Sequence, residues 1–182
     1  MVEVKAVITV FGTKGVVEHV EGFLEKLAEF SKSKNVVAQV FNADMVYGEN
    51  HLLSAAEHAI RAFRENTNVM RTLSMEVVLY AAGERQIGTA LSKIGVTQGE
   101  GNYVFLIISS TPEIDEAKGS LKTEDVERFI REYGMERDDS VLEGNENTLR
   151  RFGLSDEEIR TVEKDKYEDL ILEKVAMVDV IK

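Results

Sequence analysis

The sequence predicts a single α+β domain in which a central helical unit packs on a small, mostly antiparallel sheet of about four strands. Three observations support this class. The chain has 182 residues, which fits one domain over 1–182. Its content of 43% hydrophobic and 30% charged residues is that of a globular protein. Segments with strand periodicity and segments with helix periodicity also follow one another without repeats or low-complexity linkers, so both kinds of element are expected.

The first quarter of the chain carries two strand patterns around one helix pattern. Apolar and polar residues alternate over 2–11, which predicts a strand with one buried face, and Gly12 and Gly15 are expected to end it. Apolar residues at helical spacing predict a helix over about 18–30. The apolar run at 36–41 (VVAQVF) predicts a short buried strand.

The middle of the chain predicts three short helices joined by tight turns. Asn50 is a candidate N-cap for a helix over 51–65, which has an apolar stripe at helical spacing. Ser74 is expected to cap a second helix that ends near Gly83, a residue suited to the position after a helix. The third helix is predicted over 85–94.

The last part of the chain begins with a strand pattern and ends in an ambiguous segment. Residues 103–108 (YVFLII) predict a fully buried strand, and 121–133 predict an amphipathic helix. The acidic segment 112–146 is predicted to form an exposed extension, with an exposed loop at 135–146. Residues 175–180 could form a closing strand, because β-branched residues favour strands.

Composition excludes several classes of protein. The chain has no cysteine, which excludes disulfides, thiol chemistry and cysteine-ligated zinc or iron–sulfur sites. No apolar run approaches the roughly 18 residues that a membrane span needs, and the N-terminus lacks the zones of a signal peptide. We therefore expect a soluble, cytoplasmic protein without a membrane partner.

The net charge of −11 argues against the broad basic surface that most nucleic-acid-binding domains carry. The charge is uneven, since residues 113–182 hold 21 acidic and 12 basic side chains. The near-neutral middle holds a group of cations: Arg61, Arg64, Arg71, Arg85 and Lys93. Either these form a local cationic face, or the arginines pair on a solvated surface with the glutamates of the same region: Glu57, Glu65, Glu76 and Glu84.

The search for catalytic groups finds little. The segment 12–15 lacks the spacing of a phosphate-binding loop. His51 and His58 lie two helical turns apart without the further ligands of a zinc site, so solvated or capping roles are expected for them. Glu57 beside His58 could support acid–base chemistry, but no nucleophile or cofactor motif accompanies the pair. We expect no enzymatic activity and no metal or cofactor.

Several strings in the chain together resemble a known family. The first group covers about 42–95 and contains NADMVYG (42–48), HLLSAAEHA (51–59), RTLSMEVVLY (71–80) and AGERQI (82–87). The second group covers about 147–180 and contains LRRFGLS (149–155) and LEKVAMVD (172–179). In this order they resemble the small kinase-associated subunit of the KEOPS complex, the family whose animal member is called the PRPK-binding protein. The segment 112–146 departs from the family pattern, being longer and more acidic.

The resemblance implies a non-catalytic subunit of the complex that makes threonylcarbamoyladenosine next to the anticodon of tRNAs. It implies binding to the N-lobe of the atypical kinase/ATPase subunit. For archaeal members it also implies binding of the single-stranded 3′ CCA end of tRNA. Two alternatives stay open: a pure protein adaptor that regulates the kinase without binding RNA, and a small-molecule enzyme that uses Glu57 and His58.

Two loops of the middle region have the residue types that such an RNA end requires. The loop 66–71 offers amides and a guanidinium before a helix N-terminus, which favours phosphate. The segment 83–87 offers a second guanidinium, an amide for base edges and an apolar stacking partner. If the three helices pack in order, the arginines converge on one face. The candidate RNA-binding residues are Arg71, Arg85, Gln86, Ile87, Asn68, Arg61 and Arg64.

The kinase contact cannot be placed on named residues in the same way. Such a contact requires an exposed apolar patch with a polar rim. Val46, Tyr47 and the run 175–178 are the candidates, and each of them suits a buried core equally well. We therefore assign no residue to the kinase interface from the sequence.

Overall fold

An antiparallel sheet of four strands, in the order β2-β3-β1-β4, separates the molecule into two helical layers. The structure is a computed structural model that describes residues 5–112 and 114–182 of the chain. The strands are β1 (Val7–Val17), β2 (Val37–Asn42), β3 (Gly99–Ser110) and β4 (Glu136–Arg137). The long central pair runs from Val7 opposite Ser110 to Val17 opposite Gly99. The predicted α+β class with about four strands is confirmed.

The α-helices of the described residues surround this sheet. They are α1 (Val20–Lys34), α2 (Gly48–Arg64), α3 (Leu73–Ala82), α4 (Ile87–Ile94), α5 (Thr123–Glu132), α6 (Glu146–Phe152), α7 (Asp156–Arg160) and α8 (Tyr167–Ile181). None of them is long and apolar enough to cross a membrane.

β3 shows why the sheet is buried on both faces. Val104, Leu106 and Ile108 belong to one core with residues of α2, α3, α4, α6 and α8. The alternate residues, Phe105 and Ile107, belong to a second core with residues of α1 and α5. Since successive side chains of a strand point to opposite faces, a strand covered on both sides must be apolar throughout. The predicted buried strand over 103–108 is confirmed.

Gly12 and Gly15 do not end the first strand, so that prediction is wrong. β1 continues through both of them to Val17, and the part of the prediction over 2–4 lies outside the described residues. The glycines allow another segment to cross the strand closely. A Cβ atom on Gly12 would lie 2.5 Å from the carbonyl oxygen of Asp138. The Gly12 N–H donates to Asp139 Oδ1 at 2.9 Å, and the Asp138 N–H donates to the Gly12 carbonyl at 2.9 Å.

The segment 112–146 combines exposed charged side chains with a buried apolar face. Val126, Phe129 and Ile130 of α5 are buried in the second core, on the same side of the sheet as α1. The predicted exposed loop over 135–146 contains one short regular segment, since the exposed residues of β4 pair with β1 there. The acidic residues of this segment therefore characterise only its outer surface, since its inner face is apolar and buried.

The strand alternative for 175–180 is also wrong, since these residues belong to α8. Val175 and Val178 are fully buried, as is Ile171, and this spacing follows the helical period. Packing against α2 and α3 outweighs the strand preference of the β-branched residues, which is a weak and context-dependent one.

Two helix starts differ from their predicted caps. α2 begins at Gly48 after the N-cap Tyr47, so Asn50 lies inside the helix. α3 has Thr72 at its N-cap, so Ser74 lies in the first turn. Gly83 follows α3 with a φ of 65°, the left-handed conformation expected of a glycine at that position.

Candidate nucleic-acid interface

The loop between α2 and α3 has a well-defined shape. We call residues 65–72 the α2–α3 loop. The N–H of Thr67 donates to the Ala62 carbonyl at 2.8 Å, and Asn66 has a φ of 57°, so the chain reverses immediately after α2. The side-chain amide of Asn68 donates to the Met70 carbonyl at 2.9 Å. Asn68 therefore shapes the loop, in addition to being a candidate contact for RNA.

Arg71 stands at the end of this loop, directly before an uncapped helix. Its side chain is exposed, and within the described residues no ion pair or hydrogen bond engages its guanidinium. The Thr72 hydroxyl, at the N-cap of α3, lies 3.3 Å from the Ser74 hydroxyl and accepts no capping hydrogen bond from a backbone N–H of the first turn. The N–H groups of that turn and the guanidinium next to them together form a surface that suits a phosphate.

Arg85 repeats this arrangement before α4. Arg85 and Gln86 are exposed, and Gln86 is the N-cap of α4 without a capping hydrogen bond from its side chain. Ile87, the first residue of α4, is half-buried. Among the described residues the Arg85 guanidinium also has no acidic partner, because the neighbouring Glu84 pairs with Lys93 at 3.2 Å.

The arginines do not all converge on one face. α2 and α3 are joined by a short loop, so Arg61, Arg64 and Arg71 lie towards one end of the pair. Arg85 follows the last residue of α3, and ten helical residues separate the two ends by about 15 Å. Arg71 and Arg85 therefore stand at opposite ends of α3 and not next to each other.

The surface-pair interpretation applies to two of these arginines. Arg61 Nη2 donates to Asp179 Oδ2 of α8 at 2.6 Å, a partner that sequence reasoning did not identify. Arg64 Nη2 lies 3.8 Å from Glu65 Oε1. Within the described part of the chain, Arg71 and Arg85 are therefore the two of the four arginines whose guanidinium groups are more available for a ligand.

Glu76 is a functional candidate that sequence reasoning treated only as a possible surface partner of arginine. Its side chain is completely buried in α3. Oε2 accepts hydrogen bonds from the backbone N–H groups of Val69 and Met70, at 3.0 Å and 2.7 Å. Oε1 accepts from Lys182 Nζ at 2.9 Å. The only sequence signal was a carboxylate inside the otherwise apolar run of 73–82.

A groove of about 500 Å³ opens beside Thr72, where the α2–α3 loop meets α3. The edge of β2 forms part of it, with α1 on one side and α3 and α4 on the other. Its apolar contributors from the helices include Leu24, Leu27, Met75, Val78, Leu91 and Ile94. An apolar recess next to an open helix N-terminus can accept a nucleobase, because every base has an apolar π-face.

Of the solvated and capping roles predicted for His51, the solvated role is wrong, because His51 is a core residue. Its side chain is fully buried, Nδ1 accepts a hydrogen bond from the Tyr47 N–H at 3.0 Å, and Nε2 donates to the Ala81 carbonyl at 2.7 Å. This pattern requires the neutral ring, because a proton on Nδ1 would face the Tyr47 N–H. Burial lowers the pKa of His51 to about 4.

We expect this histidine to make the protein less stable in mild acid. In the unfolded chain His51 is protonated below its ordinary pKa of about 6.5, whereas in the folded chain it stays neutral down to about pH 4. The unfolded state therefore binds more protons in this window, and stability falls as the pH falls, by about 3 kcal/mol in total. Denaturant unfolding at pH 7 and pH 4.5 gives the loss of unfolding free energy between the two pH values. The difference in this loss between the protein and His51→Gln is the contribution of His51. Equal losses would contradict it.

The enzyme alternative gains no support from Glu57 and His58. Glu57 is exposed, whereas His58 stacks on Tyr80 at 5.4 Å between ring centroids and its Nδ1 lies 2.8 Å from Asp179 Oδ2. Adjacent helical residues point about 100° apart, so the pair does not share a site. Within residues 5–112 and 114–182, no group of three acidic or histidine side chains is arranged to hold a metal ion.

α8 carries an exposed apolar patch, which we call the α8 patch: Met177, Val180 and Ile181. Their exposed fractions are 42%, 74% and 40%. They follow the spacing i, i+3, i+4 and so lie on one side of the helix. Val46, Val175 and Val178, which the sequence offered as candidates for the kinase contact, are buried instead.

Comparison with known proteins identifies the family. The family model "Kinase binding protein CGI-121" matches residues 16–179. The regulatory protein Cgi121 of Methanocaldococcus jannaschii is 32% identical over 147 residues, which cover 79% of this chain and 84% of that protein. The EKC/KEOPS complex subunit CGI121 of Coccidioides immitis is 25% identical over 73 residues, or 40% of this chain and 35% of that protein. The chain belongs to the CGI-121 family of kinase-binding proteins.

Proposed function

We propose that this protein is the kinase-binding, tRNA-recruiting subunit of a KEOPS-type tRNA-modifying assembly. In this function it regulates the atypical kinase/ATPase subunit and holds the single-stranded 3′ CCA end of tRNA. It contributes no active-site chemistry of its own. Membership of a kinase-binding family supports the regulatory part, and the names of its relatives include a regulatory protein and a KEOPS complex subunit.

The α8 patch is the surface that best suits the kinase. An amphipathic helix that presents apolar side chains at i, i+3 and i+4 binds a partner through a complementary apolar groove. Exposed charged residues on the same helix, such as Glu173, supply a polar rim. This assignment places kinase docking on α8 and leaves the loops before α3 and α4 free.

One observation carries the RNA part of the proposal: two exposed arginines each precede a helix whose N-cap residue supplies no capping side chain. A phosphate of a single strand can bind at each position, and the groove beside Thr72 can take a base near the first of them. The distance of about 15 Å along α3 suits an extended strand of a few nucleotides. Binding of the 3′ end at this surface raises the effective concentration of tRNA near a catalytic subunit.

The salt dependence of tRNA binding tests this local site. A protein with a net charge of −11 can hold RNA only through a few contacts. Each phosphate neutralised on a single strand contributes about −0.7 to the slope of log K against log salt. We therefore expect a slope of about −1.4 for contacts at Arg71 and Arg85. A slope several times steeper would contradict the local site, and absence of binding at every salt concentration would leave the pure kinase adaptor.

A further inference from the structure

Glu76 is an unusual residue to place in the interior of the helical layer. Removing a carboxylate from water costs several kcal/mol unless charged and hydrogen-bonding partners compensate. All its partners come from outside its own helix: two backbone N–H groups of the α2–α3 loop and the ammonium group of Lys182. No buried polar side-chain atom in the described residues lacks a partner, so this network is complete.

The two hydrogen bonds that Glu76 accepts from the α2–α3 loop lie next to Arg71, the candidate RNA-binding residue. Val69 and Met70 are the residues immediately before Arg71, and their N–H groups point at one carboxylate oxygen. Hydrogen bonds to an ionised acceptor are stronger than neutral ones. They fix the backbone that sets where Arg71 stands relative to the N-terminus of α3.

Lys182 connects this arrangement to α8. Its side chain is 6% exposed, and Nζ lies over the ring of Tyr80 at 4.6 Å from the centroid. Nζ also donates to the Tyr80 hydroxyl, which in turn donates to Asp179 of α8. The residues between these two anchors are Val180 and Ile181 of the α8 patch.

We propose that Glu76 is the positioning residue of the RNA-binding loop, and that its ion pair with Lys182 couples this loop to the kinase-docking end of α8. The proposal rests on the proposed function and names the residues that couple the RNA-binding loop to the α8 patch. Glu76 does not touch RNA; it holds Arg71 where a phosphate can meet both the guanidinium and the α3 N-terminus. Any change that withdraws Lys182 loosens the α2–α3 loop.

Glu76→Gln is the central test, because electrostatics and positioning predict opposite results. Removal of a negative charge near an RNA site strengthens binding on Coulombic grounds alone. Loss of positioning weakens it, and we expect about tenfold weaker binding of a tRNA transcript. Hydrogen exchange of the Val69 and Met70 amides is expected to accelerate about tenfold. Glu57→Gln is the matched control: it makes the same charge change at an exposed carboxylate of α2, outside the α2–α3 loop, and should leave both readouts unchanged or tighten binding slightly.

Lys182→Met tests the coupling between α8 and the loop. It also provides a second test if Glu76→Gln fails to fold, and thermal melting shows whether each variant folds. Lys182→Met retains the Glu76 carboxylate, which accepts both hydrogen bonds from the loop, so we expect a smaller effect of about threefold on binding and on the exchange of the same amides. Unchanged exchange in the folded variants, or tighter tRNA binding in Glu76→Gln as in the control, would overturn the proposal. If the unmodified protein does not bind tRNA, the proposed function fails, whereas hydrogen exchange still decides whether Glu76 holds the loop.

Discussion

Arg71→Glu is expected to weaken the binding of tRNA about 30-fold while the affinity for the kinase subunit stays the same. The guanidinium stands beside the open N-terminus of α3 and, within the described residues, engages no carboxylate. Charge reversal removes one phosphate contact and adds repulsion, together about 2 kcal/mol, or 30-fold. Fluorescence anisotropy with labelled tRNA and calorimetry with the kinase subunit measure the two affinities.

The control for this variant is Arg160→Glu on α7. It produces the same net charge at an exposed arginine outside the proposed site. An equal loss of affinity in both variants would show that tRNA responds to overall charge and would contradict a local site. Loss of kinase binding in Arg71→Glu would show that the two surfaces overlap.

Met177→Asp with Val180→Asp is expected to weaken kinase binding at least 100-fold and to leave tRNA binding intact. Both side chains are exposed on one side of α8, so the aspartates disturb no buried packing in the free protein. In a complex, they would place two charges in an apolar interface, where single central residues commonly contribute 2 kcal/mol or more. Calorimetry with the kinase subunit measures the loss.

Val16→Asp is a suitable control for the α8 variant. Val16 is 54% exposed, but it lies on β1. We expect its variant to bind the kinase normally. Retained kinase binding by the α8 variant would contradict docking on the α8 patch and show that the kinase interface lies on another surface.

The sequence predicted those parts of the fold that depend on local pattern. The continuous apolar run of 103–108, the helical stripe of α2 and the glycine after α3 each have one local physical cause, and the structure has them as predicted. The errors have causes distant in sequence. Gly12 appeared to be a strand breaker because nothing local indicates that residues 138–141 cross it closely.

The same distinction between local and distant causes explains which parts of the candidate site could be predicted. The loops with Arg71 and Arg85 could be predicted because their residue types are local features, although the N-cap of α3 is Thr72 and not Ser74. The pairing of Arg61 with Asp179 and of Glu76 with Lys182 could not, since more than 100 residues separate the partners in each case. The solvated alternative for His51 was wrong for a related reason: its buried environment is made by Ala81 and Phe152, which come from other helices.

The most direct test of the central claim compares the binding of one tRNA transcript, intact and without its terminal CCA, to the purified protein. If Arg71, Arg85 and the groove hold the 3′ end, trimming should abolish binding, and a short single strand ending in CCA should compete with the intact tRNA. Equal binding of the intact and trimmed transcripts would contradict recognition of the 3′ end by this surface.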